Sequence, residues 1–292
     1  MFRFQNQHPA FAGLLDAKGR WNGNVNFVVE RLGQPLQWSA PRGIFVDSLS
    51  DLFYEQFTFA QIAAVFGVMA VARQHRFMVL TKREDRLVTW FGWVSDAADN
   101  VGKTPAEFCC EAAISAIEAD AKIDPNKRRI LLRRLAAPGG AWPLDNVALG
   151  VSVEDQAAAE LRVEAILSVP AAIRAVSAEP ALSPIRLDAV PIGGRRSNAL
   201  PRLDLVIPGG ESGAGARESR VEVIVDLVDQ CVTSGVPVFV KQLGARPTLR
   251  GEPLRLKDRK GEDWTEWPEE LERIKRREFP PAWESASTAA LL

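Results

Sequence analysis

The sequence predicts an α/β protein whose core is about six parallel strands, and three features carry that reading. Six short apolar runs, rich in β-branched residues and without strict alternation, read as strands buried on both faces. They are Ile44–Val46, Met78–Leu80, Val147–Val151, Ile173–Val176, Leu203–Ile207 and Val238–Val240. Stretches of roughly 30 residues separate most of them, the length a β-α-β crossover needs. Each run also ends in a polar or charged cluster, and in parallel α/β folds the reactive chemistry gathers where strands end.

Composition narrows the classes. The 292 residues fit one large α/β domain, or one domain with an inserted piece, and 47% hydrophobic with 25% charged residues is ordinary for a globular chain. A net charge of -1 supplies no global field toward nucleic acid or an anionic membrane. Cys109, Cys110 and Cys231 support neither a disulfide framework nor a four-ligand zinc pattern, and this suits a reducing cytoplasm. The N-terminus lacks the apolar core of a signal peptide, and no apolar run is long enough for a membrane span. With His8 and His75 as the only histidines, nothing favours a triad or a multi-histidine metal site.

Taken in order, residues 1–43 read as loop, with Trp21 and Trp38 among several glycines. After the first strand a helix capped near Thr58 places Ile62, Val65, Phe66 and Met69 on one face. From Glu84 to Asn146 the connection is about twice the usual length. Thr104-Pro105-Ala106-Glu107 is a capping box with proline at the first helical position, opening a helix to about Lys122. Asp124-Pro125 opens another that stops at Pro138-Gly139-Gly140, so about residues 97–140 form a two-helix insertion on the barrel or sheet edge. A helix from about Asp155 to Ser168 joins the third and fourth strands, whereas a Pro/Gly-rich loop (180–201) leads to the fifth. The helix from about Glu218 to Ser234 is stopped by Gly235. Residues 44–250 thus hold the α/β core, and 251–292 form a charged extension expected to end in a surface helix and a loose tail, Ser285–Leu292.

Several clusters carry possible chemistry. Gly209-Gly210-Glu211-Ser212-Gly213, between a strand and an amphipathic helix, has the glycines that let backbone N–H groups converge on an anion beside a helix N-terminus. A tight turn needing positive φ is the alternative. Glu154 and Glu179 put carboxylates at neighbouring strand ends, suited to acid–base work or to holding an amine, unless they only cap and solvate. Lys82, Arg83, Lys241 and Gln242 bring positive charge to the same rim and suggest an anionic substrate, or structural pairing with those carboxylates. Ser48 and Asp51 lie on the first strand's exit, where capping is the commoner role. Ser152 closes the third strand. Lys127, Arg128, Arg129, Arg133 and Arg134 of the insertion read as a solvated face.

Longer words in the chain resemble a phage-associated family labelled by gene-product numbers thirty-seven and sixty-eight. They include Gln34-Pro35-Leu36-Gln37-Trp38, Ile44 to Phe53, Val79 to Arg83 and Leu149 to Gln156. Ser177-Ala178-Glu179-Pro180, Gly209 to Arg217, Asp229-Gln230-Cys231, Val240-Lys241-Gln242 and Glu266-Trp267-Pro268-Glu269 fit the same pattern. That family looks like a radical S-adenosylmethionine-type partial barrel, distantly similar to DNA photoproduct lyases. The resemblance implies an open, partial TIM-like barrel with outer helices, acting on a nucleic acid or nucleotide with S-adenosylmethionine and a [4Fe–4S] cluster. Relatives hold the cluster on a loop of three close cysteines, which this chain lacks. Either a late start call hides that loop upstream in frame, or this is a degenerate copy that keeps the barrel as a scaffold.

Under the enzyme reading, Glu154, Glu179 and Lys82 are the catalytic candidates. Gly209 to Gly213 with Ser152 would hold the cofactor, while Ser48, Asp51, Arg83, Lys241 and Gln242 would face substrate. The competing class is a non-catalytic binding or accessory protein of a mobile element. A metal-independent lyase or hydrolase run by the carboxylates is a third.

Overall fold

The computed structural model describes residues 12–18, 20–47, 50–137 and 140–283. A short helix α1 (Val29–Leu32) precedes strand β1 (Gly43–Val46) and helix α2 (Phe59–Val71). Strand β2 (Arg76–Thr81) leads into three consecutive helices, α3 (Glu84–Asp99), α4 (Pro105–Ala119) and α5 (Pro125–Leu135). Strand β3 (Val147–Ser152), helix α6 (Gln156–Ser168) and strand β4 (Ile173–Ala178) restore the alternation. A hairpin of β5 (Val190–Ile192) and β6 (Arg195–Ser197) then takes the place of a crossover helix before β7 (Leu205–Pro208). The short β8 (Ser219–Arg220), helix α7 (Val221–Ser234), β9 (Pro247–Leu249) and β10 (Glu252–Pro253) follow.

The main sheet runs β1-β2-β3-β4-β7 with every pairing parallel. The sixth apolar run continues it, held by single bonds rather than a full ladder. Phe239 N–H donates to the Val206 carbonyl (2.9 Å) and Lys241 N–H to that of Pro208 (3.1 Å). The outer side of this run is covered by the C-terminal segment, through Val240 N–H to Arg276 O (2.8 Å) and Glu278 N–H to Val238 O (3.1 Å). The sheet does not close into a barrel among the described residues, in keeping with a partial α/β barrel.

Alternation along the strands sorts the core into two faces. Phe77, Val79, Leu149, Val151, Val176 and Val206 pack under the helices. Met78, Ala148, Ala175, Leu205 and Ile207 face the other side, where Phe239 and Trp283 complete a second cluster. Small residues are required on this inner face, since a Cβ on Gly150 would lie 2.6 Å from the Leu80 side chain and 2.7 Å from the Ala175 carbonyl.

The long connection differs in two ways from the expected insertion at the sheet edge. First, α3 is an ordinary crossover helix. Its Leu87, Trp90, Phe91 and Val94 are buried, and the Trp90 ring lies 4.5 Å from Phe66 and 4.8 Å from Phe91. Second, α4 belongs to the core. It crosses α2 so closely that a Cβ on Gly67 would sit 2.1 Å from the Cys109 carbonyl.

The capping box read at Thr104 with Glu107 forms, and the cap expected near Thr58 is itself a capping box, closed by Gln61. Helix α7 starts at Val221 rather than Glu218, because Ser219 and Arg220 pair with Pro247 and Thr248. Beyond residue 253 the chain forms 3-10 turns, not the expected surface helix, and buries Leu271, Ile274 and Trp283. The loose-tail expectation for Ser285–Leu292 falls outside the described residues. No described helix is long and apolar enough to cross a membrane.

The helix crossing yields a direct test. Gly67→Ala should destabilise the protein by about 2–3 kcal/mol in urea unfolding, because the contact is backbone to backbone and has no side chain to move aside. A change below about 0.5 kcal/mol would mean that α2 and α4 are not seated on each other in this way.

Candidate functional site

All parallel strands end on one rim, and their polar termini meet there. At the exit of β1, the Asp51 carboxylate accepts from Thr81 Oγ1 (2.8 and 3.1 Å), from Lys82 N–H (3.0 Å) and from Phe53 N–H (2.9 Å). Asp51 thereby fastens the first loop onto the end of β2. Arg83 reaches the same carboxylate (3.3 Å), pairs with Glu55 (3.2 Å) and lies 4.5 Å above the Tyr54 ring.

At the next strand end Lys82 pairs with Glu154, whose second oxygen accepts from Arg162 of α6 (2.9 Å). Arg162 also donates to the Ser152 carbonyl (2.8 Å). Helix α6 is fixed there by Asp155, which caps it through Ala158 N–H (2.8 Å). Across the rim, Glu179 accepts from Lys241 (3.0 Å) and from the Gln242 amide (3.3 Å). That amide also donates to the Gly210 carbonyl (2.9 Å).

These residues surround a cleft of about 470 Å³ lined by Asp47, Asp51, Tyr54, Lys82, Arg83, Ser152, Ser177, Glu179 and Lys241, with Trp21 on its wall. The Lys82 side chain is 48% exposed while its partner Glu154 is 17% exposed. Lys241 at 33% and Glu179 at 21% repeat that order. In each pair the lysine side chain is the more exposed member and the carboxylate that holds it the more buried.

A second chamber of about 420 Å³, mostly apolar, adjoins the first and shares Trp21, Val25, Phe45, Asp47 and Ser50 with it. Asp47 stands at the junction with its backbone in the left-handed region (φ 55°). Burial pushes its carboxyl above the usual range, the Asp51 charge adds to the shift, and a hydrogen bond from Ser50 opposes it.

Of the residues singled out from the sequence, Asp51, Lys82, Arg83, Ser152, Glu179 and Lys241 line one cleft, with Glu154 and Gln242 as their direct partners. Ser48 lies outside the described residues. The glycine loop divides. Gly209 and Gly210 donate their N–H groups to Ala178 O and Gln242 O (both 3.0 Å), so those amides are engaged in the sheet. Ten residues separate Gly210 from the start of α7, so the helix N-terminus does not lie at the glycines. Glu211 pairs with Arg217 (2.8 Å), which holds its carboxyl below the usual range, while Ser212 and Gly213 face a different cleft.

Tyr54 and Arg162 are not singled out by the sequence, and Asp47 and Ser177 figure there only as polar residues at strand ends. Asp47 and Ser177 sit at strand ends, and Tyr54 is the chain's only tyrosine, which are usable signals. Arg162 carries none, being one charged position on a helix.

The cluster implied by the resemblance finds no donors in these thiols. Cys109 and Cys110 are buried on α4 and Cys231 on α7, and none lines the cleft. Burial pushes the Cys110 thiol up to about 11 and that of Cys231 to about 12, with Cys109 raised further, opposite to what a thiolate ligand needs. No group of three or more His, Cys, Asp or Glu suited to a metal ion occurs among the described residues.

Fold and rim together define an α/β protein with an unclosed parallel sheet and a charged, ion-paired mouth. The chain belongs to the family described as "Protein of unknown function (DUF5131)", whose profile matches residues 3–268. Neither the curated proteins nor the solved structures gave a significant match.

Two measurements probe these groups. Iodoacetamide at pH 8 should leave all three cysteines unlabelled in the native protein and label all three in guanidinium. Rapid labelling of any one of them would contradict its burial.

Asp47→Asn keeps a residue that tolerates the left-handed backbone and removes the buried charge. A folded-state carboxyl raised above its unfolded value costs nothing below the unfolded value of 3.8. Its cost grows as pH rises through the window above that value. The variant should therefore melt higher than the parent at pH 7.5 and equally at pH 3.5. A pH-independent difference would remove the electrostatic cause.

Proposed function

We propose that this protein binds a small phosphate-bearing ligand, a nucleotide or the end of a nucleic-acid strand, in the mouth of its sheet. It acts as a binding scaffold. The supporting observation is the order of exposure at the rim. Lys82 and Lys241 extend past the carboxylates that anchor them, with Arg83 beside them. An anion entering the cleft gains charge-assisted hydrogen bonds to cations already oriented by Glu154, Glu179 and Asp51. It displaces little, because each anchor keeps a second donor: Arg162 for Glu154, and Gln242 for Glu179. Trp21 and Tyr54 supply aromatic surface for a base.

The enzyme reading carried by the resemblance, a radical S-adenosylmethionine-type activity on a nucleic acid or nucleotide, is supported here by the unclosed parallel sheet alone. The buried thiols give it no cluster ligands, so no step of it is assigned to these residues. Acid–base work by Glu154 and Glu179 is disfavoured by their fixed pairing, which leaves neither carboxylate a free face toward the cleft comparable to that of its lysine.

Titration calorimetry of nucleoside monophosphates and short oligonucleotides at low salt tests the binding reading. Lys82→Ala and Lys241→Ala should each weaken binding about tenfold, whereas Glu154→Gln should weaken it less. Failure of every such ligand to bind, or equal losses for the glutamate and lysine variants, would overturn it.

A further inference from the structure

The glycine-rich loop has a fixed base and an open tip. At the base, Gly210 N–H donates to Gln242 O (3.0 Å) and Ala245 N–H to Glu211 O (2.8 Å). A Cβ on Gly210 would lie 2.1 Å from the Leu243 carbonyl, so packing alone demands glycine there. The Glu211 carboxylate closes the loop on itself, accepting from Arg217 N–H (2.9 Å), Nε (2.8 Å) and Nη2 (3.1 Å).

The tip, Ser212 to Gly215, is different. None of its N–H groups has a hydrogen-bond acceptor among the described residues. A Cβ on Gly213 or Gly215 would meet nothing within 4 Å, so crowding does not explain these glycines. Gly213 adopts φ +107°, a backbone setting that L side chains avoid. Successive unpaired amides around such a residue form a concavity for an anion.

This tip forms one wall of a cleft of about 960 Å³ that is separate from the mouth. The same cleft is lined by Arg246, Arg255, Arg259 and Lys260. Arg255 and Arg259 have no ion pair or hydrogen bond among the described residues. Arg246 makes one long contact to Ala216 O (3.5 Å), and Lys260 lies 3.5 Å from Glu262. Two carboxylates also line the cleft, but both are engaged. Glu218 accepts from Thr248 Oγ1 (3.2 Å), and Asp258 accepts from Glu262 N–H (2.5 Å). No aromatic side chain among the described residues lines the cleft. Four cations against two carboxylates leave this lining with a positive excess in a chain of net charge -1, carried chiefly by Arg255 and Arg259.

We propose that this cleft is a binding site for ligands carrying two or more linked phosphates. The amides of Ser212 to Ala214 take one phosphate, and Arg255 and Arg259 take the next. Without aromatic surface the site reads phosphate charge rather than the base. The ligand is therefore a nucleoside polyphosphate or the phosphodiester run of an oligonucleotide, and the site is independent of the mouth.

Calorimetric titration of the full chain with inorganic tripolyphosphate, ATP, UTP and an oligothymidylate at low salt tests this. Tripolyphosphate, ATP and UTP should bind within a few-fold of one another. The double variant R255Q/R259Q should lose about tenfold or more for tripolyphosphate with an unchanged melting temperature, while ATP and UTP keep only the binding that Lys82→Ala/Lys241→Ala removes. Lys82→Ala/Lys241→Ala should leave tripolyphosphate binding intact. Competition by the oligothymidylate for the tripolyphosphate site identifies a phosphodiester as the source, and its absence identifies a free polyphosphate. Equal binding by the parent and R255Q/R259Q would overturn the proposal. So would loss of tripolyphosphate binding through the lysine variants alone.

Discussion

A parallel sheet leaves two faces to be kept from water, and in this protein the second cover is the C-terminal segment rather than another layer of helices. Residues 276–278 pair along the outer edge of the sixth strand, and Trp283 then turns under the sheet onto Met78, Ala148, Ala175 and Ile207. The inner face is built of small residues, Gly150 with Ala148 and Ala175, so a bulky indole can seat against it. With that edge paired and part of the face covered, the strand termini stay open around the cleft, beside Phe45, Leu80 and Ile207 of the same face. The mouth is a consequence of that closure.

The rim then has to carry charge without exposing it wastefully. Each cation at a strand end has a carboxylate from the neighbouring element: Lys82 with Glu154, Lys241 with Glu179, and Arg83 with Asp51. Such partly exposed pairs contribute little to stability. Their consequence is geometric, since each long side chain is held near one direction. An oriented cation loses less conformational freedom when a ligand arrives, which is where preorganisation strengthens binding. The same pairing that occupies the carboxylates keeps the lysines in place for a ligand.

Local signals were legible in the chain. The apolar runs end where the strands end, so Lys82, Ser152, Glu179 and Lys241 could be placed on one rim before any fold was known. The cap at Thr58 and the capping box at Thr104 depend on residues three apart, and both form. Helix α3 was equally readable, since Leu87, Trp90, Phe91 and Val94 keep a helical period. The length of that connection masks it, because about 60 residues between strands suggest an inserted piece before an ordinary crossover. Long-range partners were not legible. Nothing near Glu154 marks Arg162 as its second donor, and nothing near Ala148 foretells Trp283, because both contacts are set by how separate elements pack.

The glycine loop shows how one motif can divide between two physical demands. Read as a string, Gly209 to Gly215 suggests a single anion cradle at a helix start. In the fold its first half is consumed by packing: Gly210 is glycine because the Leu243 carbonyl leaves no room, and its amide completes the sheet. Its second half is glycine in open space, with amides that nothing else uses. Spacing cannot separate a glycine required by crowding from one required by conformation, because both appear as the same letter. The distinction depends on what surrounds each Cα. It moves the anion-binding capacity of this loop away from the mouth, toward the wall that carries Arg255 and Arg259.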